Sequence, residues 1–279
     1  MKVDSHQHYW KPSRNDYGWL TPETGVLYAD YMPDQLHPLL QQYNFDRTIV
    51  VQAAPTIAET EFLLSLCDKE ETLAGVVGWL DLESDGFARD FARLLRNPYF
   101  VGIRPMLQDM DDDAYILRPK VIESLKALAE DDFPIDLQLR PRHLPHVVRL
   151  FEKMPKLKAV IDHLAKPYIA DGTLEPWKQQ IGEIARHGNV YCKLSGMVTE
   201  ARQQWSPADF IPYVHHIVDV FGTDRIMFGS DWPVCLPTEY GEVVKLLLDA
   251  LPETVTNEDR EKLFGSNAIF FYQLKLGTV

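Results

Sequence analysis

The chain has 279 residues, of which 46% are hydrophobic and 25% charged, a composition typical of one large globular domain. Its formal net charge of −13 at pH 7 excludes electrostatic binding to nucleic acid or to an anionic membrane surface, since no basic segment offsets it. The 3 cysteines lack C-x-x-C spacing, the N-terminus lacks the apolar run of a leader peptide, and no apolar stretch is long enough to span a membrane. We therefore expect a soluble, cytoplasmic protein without disulfides, and the sequence leaves open whether it forms a homo-oligomer.

Eight short apolar runs rich in β-branched residues follow one another along the chain, and stretches of helical period lie between them. Their spacing leaves room for a strand and a returning helix, which is the connection that a parallel sheet requires. The sequence therefore predicts one α/β domain over residues 1–279, a single (β/α)₈ TIM barrel. An open doubly wound sheet is the alternative, and the absence of G-x-G-x-x-G after the first run disfavours it. The predicted strands are residues 2–8, 47–53, 74–81, 100–105, 133–139, 158–163, 189–196 and 225–231.

Two helix starts and one long loop are marked by specific residues. Thr56-x-x-Glu59 has the form of a capping box, and Pro119 precedes apolar residues at helical spacing. The segment between the first and second strands is longer than a plain connection and is rich in aromatic residues, beginning with Trp10. We expect this loop to lie over the mouth of the barrel.

Four polar side chains are expected at the carboxyl ends of the strands. His6 and His8 are two residues apart on the first strand, so a strand's period of two directs both into the lumen. Asp231 ends the eighth strand, which neighbours the first once a barrel closes, and His163 ends the sixth. Three imidazoles and one carboxylate should therefore converge on the face where barrel enzymes keep their active sites.

Several motifs in this order resemble the amidohydrolase superfamily, over residues 2–272. The closer resemblance is to its amidohydrolase-related lactonase branch, which includes sugar-acid lactonases and 2-pyrone-4,6-dicarboxylate hydrolase. The motifs that carry it are HQH at 6–8, DHLAKP at 162–167, KLSG at 193–196 and FGSDWP at 228–233.

The resemblance implies roles for the four side chains. His6 and His8 would bind metal or the substrate carbonyl, His163 would polarise that carbonyl, and Asp231 would be the general base. His6, His8 and Asp231 are the implied metal ligands. Many members also carry a lysine on strand four and a histidine on strand five, where this chain has IRP at 103–105 and LQL at 137–139. The resemblance therefore implies at most one divalent ion, with zinc as the first candidate, or catalysis without metal.

Five further side chains form the expected substrate-binding set because they lie at predicted strand ends or at the mouth: Arg104, Gln138, Lys193, Trp10 and Trp232. Arg104 could orient a substrate hydroxyl or carboxylate, or pair with a neighbouring acid. Lys193 would be costly inside a barrel without a partner, so a salt bridge to Asp231 or Asp4 is the alternative to a role in binding.

The expected function is hydrolysis of a small cyclic ester, most specifically the lactone of a sugar acid. Indole rings at the mouth favour a sugar substrate, since such rings stack on C–H surfaces. Two alternatives stay open: a metal-dependent decarboxylase or amide hydrolase of the same superfamily, and a barrel that binds a ligand without turnover.

Overall fold

Strands and helices alternate along almost the whole chain in the computed structural model, which describes residues 1–236 and 238–275. The predicted domain runs to residue 279, so its last four positions lie outside the described residues. The strands are β1 (Val3–Gln7), β2 (Arg47–Val51), β3 (Leu73–Gly78), β4 (Phe100–Ile103), β5 (Ile135–Leu137), β6 (Ala159–Ile161), β7 (Val190–Leu194) and β8 (Ile226–Phe228). The helices that follow them in turn are α1 (Pro33–Tyr43), α2 (Ile57–Leu66), α3 (Phe87–Leu94), α4 (Pro119–Glu130), α5 (Leu144–Lys153), α6 (Trp177–Ala185), α7 (Pro207–Phe221) and α8 (Tyr240–Ala250).

The eight strands form one parallel sheet in the order β1 to β8. The sheet closes through the residues that follow β8: the Asp231 amide donates to the His6 carbonyl at 2.8 Å, and the His8 amide donates to the Trp232 carbonyl at 2.7 Å. The (β/α)₈ barrel is thereby confirmed and the open sheet is excluded.

All eight predicted strands are present, but each is shorter than its apolar run. The largest differences are at the carboxyl ends, where the runs extend into loops of the barrel mouth. His163 and Asp231 were expected to end strands, yet both lie beyond them with positive φ angles of 53° and 59°. A positive φ cannot continue a strand, so these two side chains are directed by turns and not by the sheet's alternation.

The two predicted helix starts are confirmed, one of them in modified form. Thr56 caps α2 by accepting a hydrogen bond from the Glu59 amide at 3.0 Å. The Glu59 carboxylate does not complete the box; it accepts from the amides of Ala53 and Ala54 at 2.9 and 3.0 Å, and so holds the loop after β2. Helix α4 begins at Pro119 as predicted, because the missing amide hydrogen of proline costs nothing in a first turn.

The lower part of the lumen is filled by apolar strand residues together with the C-terminal segment of the chain. After α9 (Asn257–Glu261) and a π-helical turn (Lys262–Ser266), the short helix α10 (Asn267–Phe271) packs into the same buried cluster as Val101 and Met227. Tyr272 follows α10, and its hydroxyl points into the lumen, where it donates to Asp136.

None of the helices among the described residues combines the length and the hydropathy that a membrane span requires.

Two adjacent phenylalanines of α10 test whether this segment is part of the core. Phe271 is fully buried against Tyr191 and Tyr272, whereas Phe270 is 73% exposed. We expect Phe271→Ala to lower the free energy of unfolding by about 3–5 kcal/mol, because it leaves a cavity in the packed lumen. Phe270→Ala should change it by less than about 0.5 kcal/mol. Urea denaturation of the two variants measures the difference, and equal losses would show that α10 does not seal the barrel.

Candidate active site

Three imidazoles surround one carboxylate oxygen at the mouth of the barrel. Oδ1 of Asp231 lies 3.3 Å from Nε2 of His8, 3.7 Å from Nε2 of His6 and 3.8 Å from Nε2 of His163. The two first-strand histidines also face each other, with 3.2 Å between their Nε2 atoms. The structure thus brings together the four side chains expected from the sequence.

A left-handed turn presents His163 to this group. Residues 163–166 all have φ between 51° and 60°, a conformation that L-residues adopt only singly as a rule. The Trp177 indole donates to the Leu164 carbonyl at 2.7 Å, and the Lys166 amide donates to the His163 carbonyl at 2.7 Å. Four such residues in succession are strained, and strain of this kind is retained where a site depends on it.

The hydrogen-bond partners of His8 fix its tautomer. Nδ1 lies 2.7 Å from the Val51 carbonyl, which can only accept, so Nδ1 carries the hydrogen. In neutral His8 the Nε2 lone pair then points at Oδ1 of Asp231, which also offers only lone pairs. Two acceptors at 3.3 Å repel each other unless a proton or a metal cation lies between them.

His6 has two opposite neighbours at Nδ1. Nζ of Lys193, which only donates, lies 3.3 Å away, and Oδ1 of Asp162, which only accepts, lies 3.4 Å away. If Nδ1 accepts from Lys193, Nε2 carries the hydrogen and can donate to His8. If Nδ1 donates to Asp162 instead, the Nε2 lone pair is free for a metal ion. Both tautomers of His6 therefore have a partner.

Burial sets the charges of the group. It lowers the pKa of all three imidazoles, that of His163 to about 4, so they are neutral near pH 7. Burial by itself would raise the pKa of Asp231, but the charge of protonated His163 at low pH and the contact with His8 outweigh burial and hold that pKa well below its ordinary value. Near pH 7 the site therefore presents neutral imidazoles around an ionised carboxylate.

This donor set fits a divalent metal ion. Ligand atoms of His6, His163 and Asp231 lie within 4.8 Å of one another, and the lone pair of His8 points at the same carboxylate oxygen. Neutral imidazole nitrogen and carboxylate oxygen are ligands that zinc prefers. His163 thus joins His6, His8 and Asp231 as a candidate ligand, although the sequence assigned it to the substrate alone.

A cavity of about 230 Å³ is lined by three of the four side chains, His8, His163 and Asp231, and His6 lies buried behind them. Its other lining residues include the polar Arg104 and Gln138 and the apolar Trp10, Trp19 and Val234. Among the described residues, Nε and Nη1 of Arg104 and Oε1 of Gln138 have no hydrogen-bond partner, although Nη1 lies 3.6 Å from Oδ2 of Asp162. Nε of Arg104 and Oε1 of Gln138 are therefore available to a ligand, because a buried polar atom costs free energy while it lacks a partner.

Two members of the expected substrate-binding set lie away from this cavity. Trp232 is buried and packs against Tyr9 and Tyr31, and it does not line the cavity. Lys193 is fully buried below His6, where its ammonium pairs with Asp136 at 2.5 Å and Asp162 at 3.2 Å. The predicted salt bridge of Lys193 was correct in kind, but its expected partners, Asp231 and Asp4, were wrong.

Asp4 is engaged elsewhere. One of its oxygens accepts from the Ser230 amide at 2.9 Å and the other from the Tyr240 hydroxyl at 3.0 Å. Asp4 thus holds the loop after β8 from the side of helix α8, where Lys193 on β7 does not reach it. β1 is irregular between Asp4 and Gln7, so Asp4 does not share the lumen face with His6 as strict alternation predicts, and a single sequence does not reveal such an irregularity.

Three further residues hold the site, and none of them has a role assigned from the sequence. Ser195 lies 2.8 Å from Nδ1 of His163, and Asp136 and Asp162 form the layer beneath His6. Asp136 had a signal, since it is the one charged residue in the apolar strand β5. A lone charge in such a strand is expected to have a partner or a function.

Comparison with known proteins places this site in a family. A family model described as Amidohydrolase matches residues 3–274. L-fucono-1,5-lactonase of Burkholderia ambifaria is 39% identical over 278 residues, covering 98% of this chain and 96% of that protein. A crystal structure of an amidohydrolase from Burkholderia multivorans with bound zinc superposes with a TM-score of 0.92 at 36% identity, covering 98% of this chain and 99% of that one.

A more distant likeness concerns the fold alone. A probable 2-pyrone-4,6-dicarboxylic acid hydrolase from Acinetobacter baumannii has a TM-score of 0.77 at 16% identity, and the match covers 98% of this chain and 99% of that one. His6 on β1, His8 directly after it, the aspartate after β8 and the match over nearly the full length agree with the resemblance found in the motifs. This chain is a member of the amidohydrolase family, in its lactonase branch.

Proposed function

We propose that this protein hydrolyses the lactone of a sugar acid, with L-fucono-1,5-lactone as the first substrate to test. The observation that carries the proposal is the ionised carboxylate of Asp231 among three neutral imidazoles, at the floor of a cavity large enough for one sugar ring. The activity of the Burkholderia ambifaria relative supports the same reaction.

Hydrolysis requires that water add to the carbonyl carbon and that the ring C–O bond break. In the proposed mechanism Asp231 accepts the proton of the attacking water and then returns it to the ring oxygen as that oxygen leaves. A carboxylate is a much weaker base than hydroxide, so in this mechanism proton transfer accompanies C–O bond formation, when the water becomes acidic. The product is an open hydroxy acid, which ionises and releases one proton to solution.

The imidazoles are placed to stabilise the oxyanion that forms on the carbonyl oxygen. His163 lines the cavity and can donate from Nε2 while Nδ1 accepts from Ser195. His6, with Lys193 at its Nδ1, lies behind the cavity and directs Nε2 towards His8 and Asp231. When bound to these imidazoles and Asp231, a zinc ion would polarise the same carbonyl and acidify water. The two tautomers of His6 are compatible with both situations, which agrees with an enzyme that works with one metal ion or with none.

The cavity has polar and apolar lining residues, as a deoxy sugar lactone requires. Nε of Arg104 offers a donor and Oε1 of Gln138 an acceptor to hydroxyl groups. Trp10, Trp19 and Val234 offer an apolar surface to ring C–H groups and to a methyl substituent. We assign Arg104, Gln138 and Trp10 to substrate binding, and Lys193 and Trp232 to support of the site.

A panel of aldonolactones, assayed by proton release with a pH indicator, tests the reaction. We expect kcat/KM of about 10⁴ M⁻¹ s⁻¹ or more for L-fucono-1,5-lactone. The L-galactono analogue adds one hydroxyl and should be poorer by no more than about a hundredfold, because an apolar surface rejects a hydroxyl only weakly. Failure to accelerate any lactone, with and without zinc, would favour the decarboxylase, amide hydrolase or binding-protein alternatives.

Two left-handed glycines test the placement of His163. A Cβ on Gly196 would lie 2.5 Å from Nδ1 of His163 and 3.1 Å from Oδ2 of Asp231, whereas nothing lies within 4 Å of a Cβ on Gly172. Both φ angles are positive, so either alanine costs about 1–2 kcal/mol of stability. Only Gly196→Ala should also reduce lactone turnover, by about a hundredfold, because it displaces the imidazole. Equal turnover in Gly196→Ala and Gly172→Ala would refute the role of His163.

A further inference from the structure

Beneath the four active-site side chains, a second polar group lies wholly inside the barrel. The ammonium of Lys193 contacts Oδ2 of Asp136 at 2.5 Å, Oδ1 of Asp162 at 3.2 Å and Nδ1 of His6 at 3.3 Å. All four side chains are completely buried. Each partner of Lys193 therefore meets its charge without screening by water.

The negative charges of the two carboxylates in this layer are balanced only when the ammonium of Lys193 is included. Asp162 lies 3.6 Å from Nη1 of Arg104, and Asp136 accepts from the Tyr272 hydroxyl at 2.8 Å. Apart from the His6 tautomer that can donate from Nδ1, Asp162 is stabilised by the positive charges of Lys193 and Arg104, since neither contact has hydrogen-bond geometry. Asp162 therefore requires positive charge at the position of the ammonium.

The three partners of Lys193 are themselves a set of metal ligands. One atom each from His6, Asp136 and Asp162 lies within 4.8 Å of the other two. Imidazole nitrogen with two carboxylates is a donor set for a divalent ion. His6 belongs to both sets, since its Nε2 faces Asp231 and its Nδ1 faces Lys193. The ammonium thus lies where a second ion, adjacent to the first, would bind.

We propose that Lys193 is a tethered cation that occupies a second metal position beneath the active site. The ammonium neutralises the buried carboxylates, contacts Nδ1 of His6 and leaves no space for an ion among its three partners. This arrangement limits the chain to one metal ion, bound at the upper set, and keeps a fixed positive charge under His6 whether or not that ion is present. The proposal concerns metal capacity and does not depend on which lactone is hydrolysed.

Zinc stoichiometry of matched variants tests the proposal. The full-length protein is stripped with chelator, equilibrated with excess Zn²⁺, desalted and analysed for metal per chain. Lys193→Ala removes the ammonium and leaves a space, so it should bind one more equivalent than the unmodified protein, which should bind no more than one. Lys193→Met removes the charge but fills nearly the same volume, so it should show no gain. Adding Asp136→Asn to Lys193→Ala should abolish the extra equivalent, because one ligand is lost.

Two results would overturn the proposal. One is an unmodified protein that retains two equivalents of zinc, and the other is a folded Lys193→Ala variant that binds no more zinc than the unmodified protein. If the alanine variant is stable only in zinc, thermal unfolding decides the question. The midpoint temperature of unfolding of Lys193→Ala should then be higher in Zn²⁺ than in chelator by more than that of Lys193→Met. Equal increases in the two variants would contradict the account.

Discussion

The hydrogen bond from the Asp231 amide to the His6 carbonyl closes the barrel, and the geometry of the active site depends on it. The same contact that joins the end of the last strand to the first brings the Asp231 carboxylate over the imidazoles of His6 and His8. Gly229 makes this approach possible, because a Cβ there would lie 2.5 Å from the Cβ of His6. Closure of the fold and assembly of the site are therefore one event.

Charge in the lumen is arranged in two layers that share His6. The upper layer holds one carboxylate and neutral imidazoles, and the lower layer holds two carboxylates with the ammonium of Lys193. Burial raises the pKa of Asp136 to about 6, whereas Lys193 holds the pKa of Asp162 well below its ordinary value despite burial. Because His6 contacts both layers, the tautomer of one imidazole links the charge below to the chemistry above.

The fold was predictable because barrel strands are buried on both faces and read as continuous apolar runs. The exact strand ends were not, since the residues that matter for chemistry leave the strands through left-handed turns, as at His163 and Asp231. Local propensity gives no indication of such turns, which are strained and depend on distant contacts such as that of Trp177 with the Leu164 carbonyl.

The upper layer of the site was predictable from strand order, since β1 and β8 must meet in a closed barrel. The lower layer was not, although its residues are visible in the sequence. Whether Lys193 pairs with Asp231, Asp136 or Asp162 depends on the register between strands, and side-chain periodicity does not specify register. Asp4 is excluded by the irregularity of β1, which directs it towards α8. Lone charges in apolar strands, such as Asp136 in β5, are the signal that would have indicated a buried ion pair.

The role of Asp231 as general base is the central claim, and the turnover of Asp231→Asn with metal resupplied tests it most directly. The amide keeps the shape and most contacts but does not accept the proton of water, so kcat on the lactone should fall by about 10² to 10⁴ while KM changes much less. Asp249→Asn, at an exposed position of α8, should leave both constants unchanged. Near-full lactone hydrolysis by Asp231→Asn, with the fold intact by circular dichroism, would contradict the mechanism.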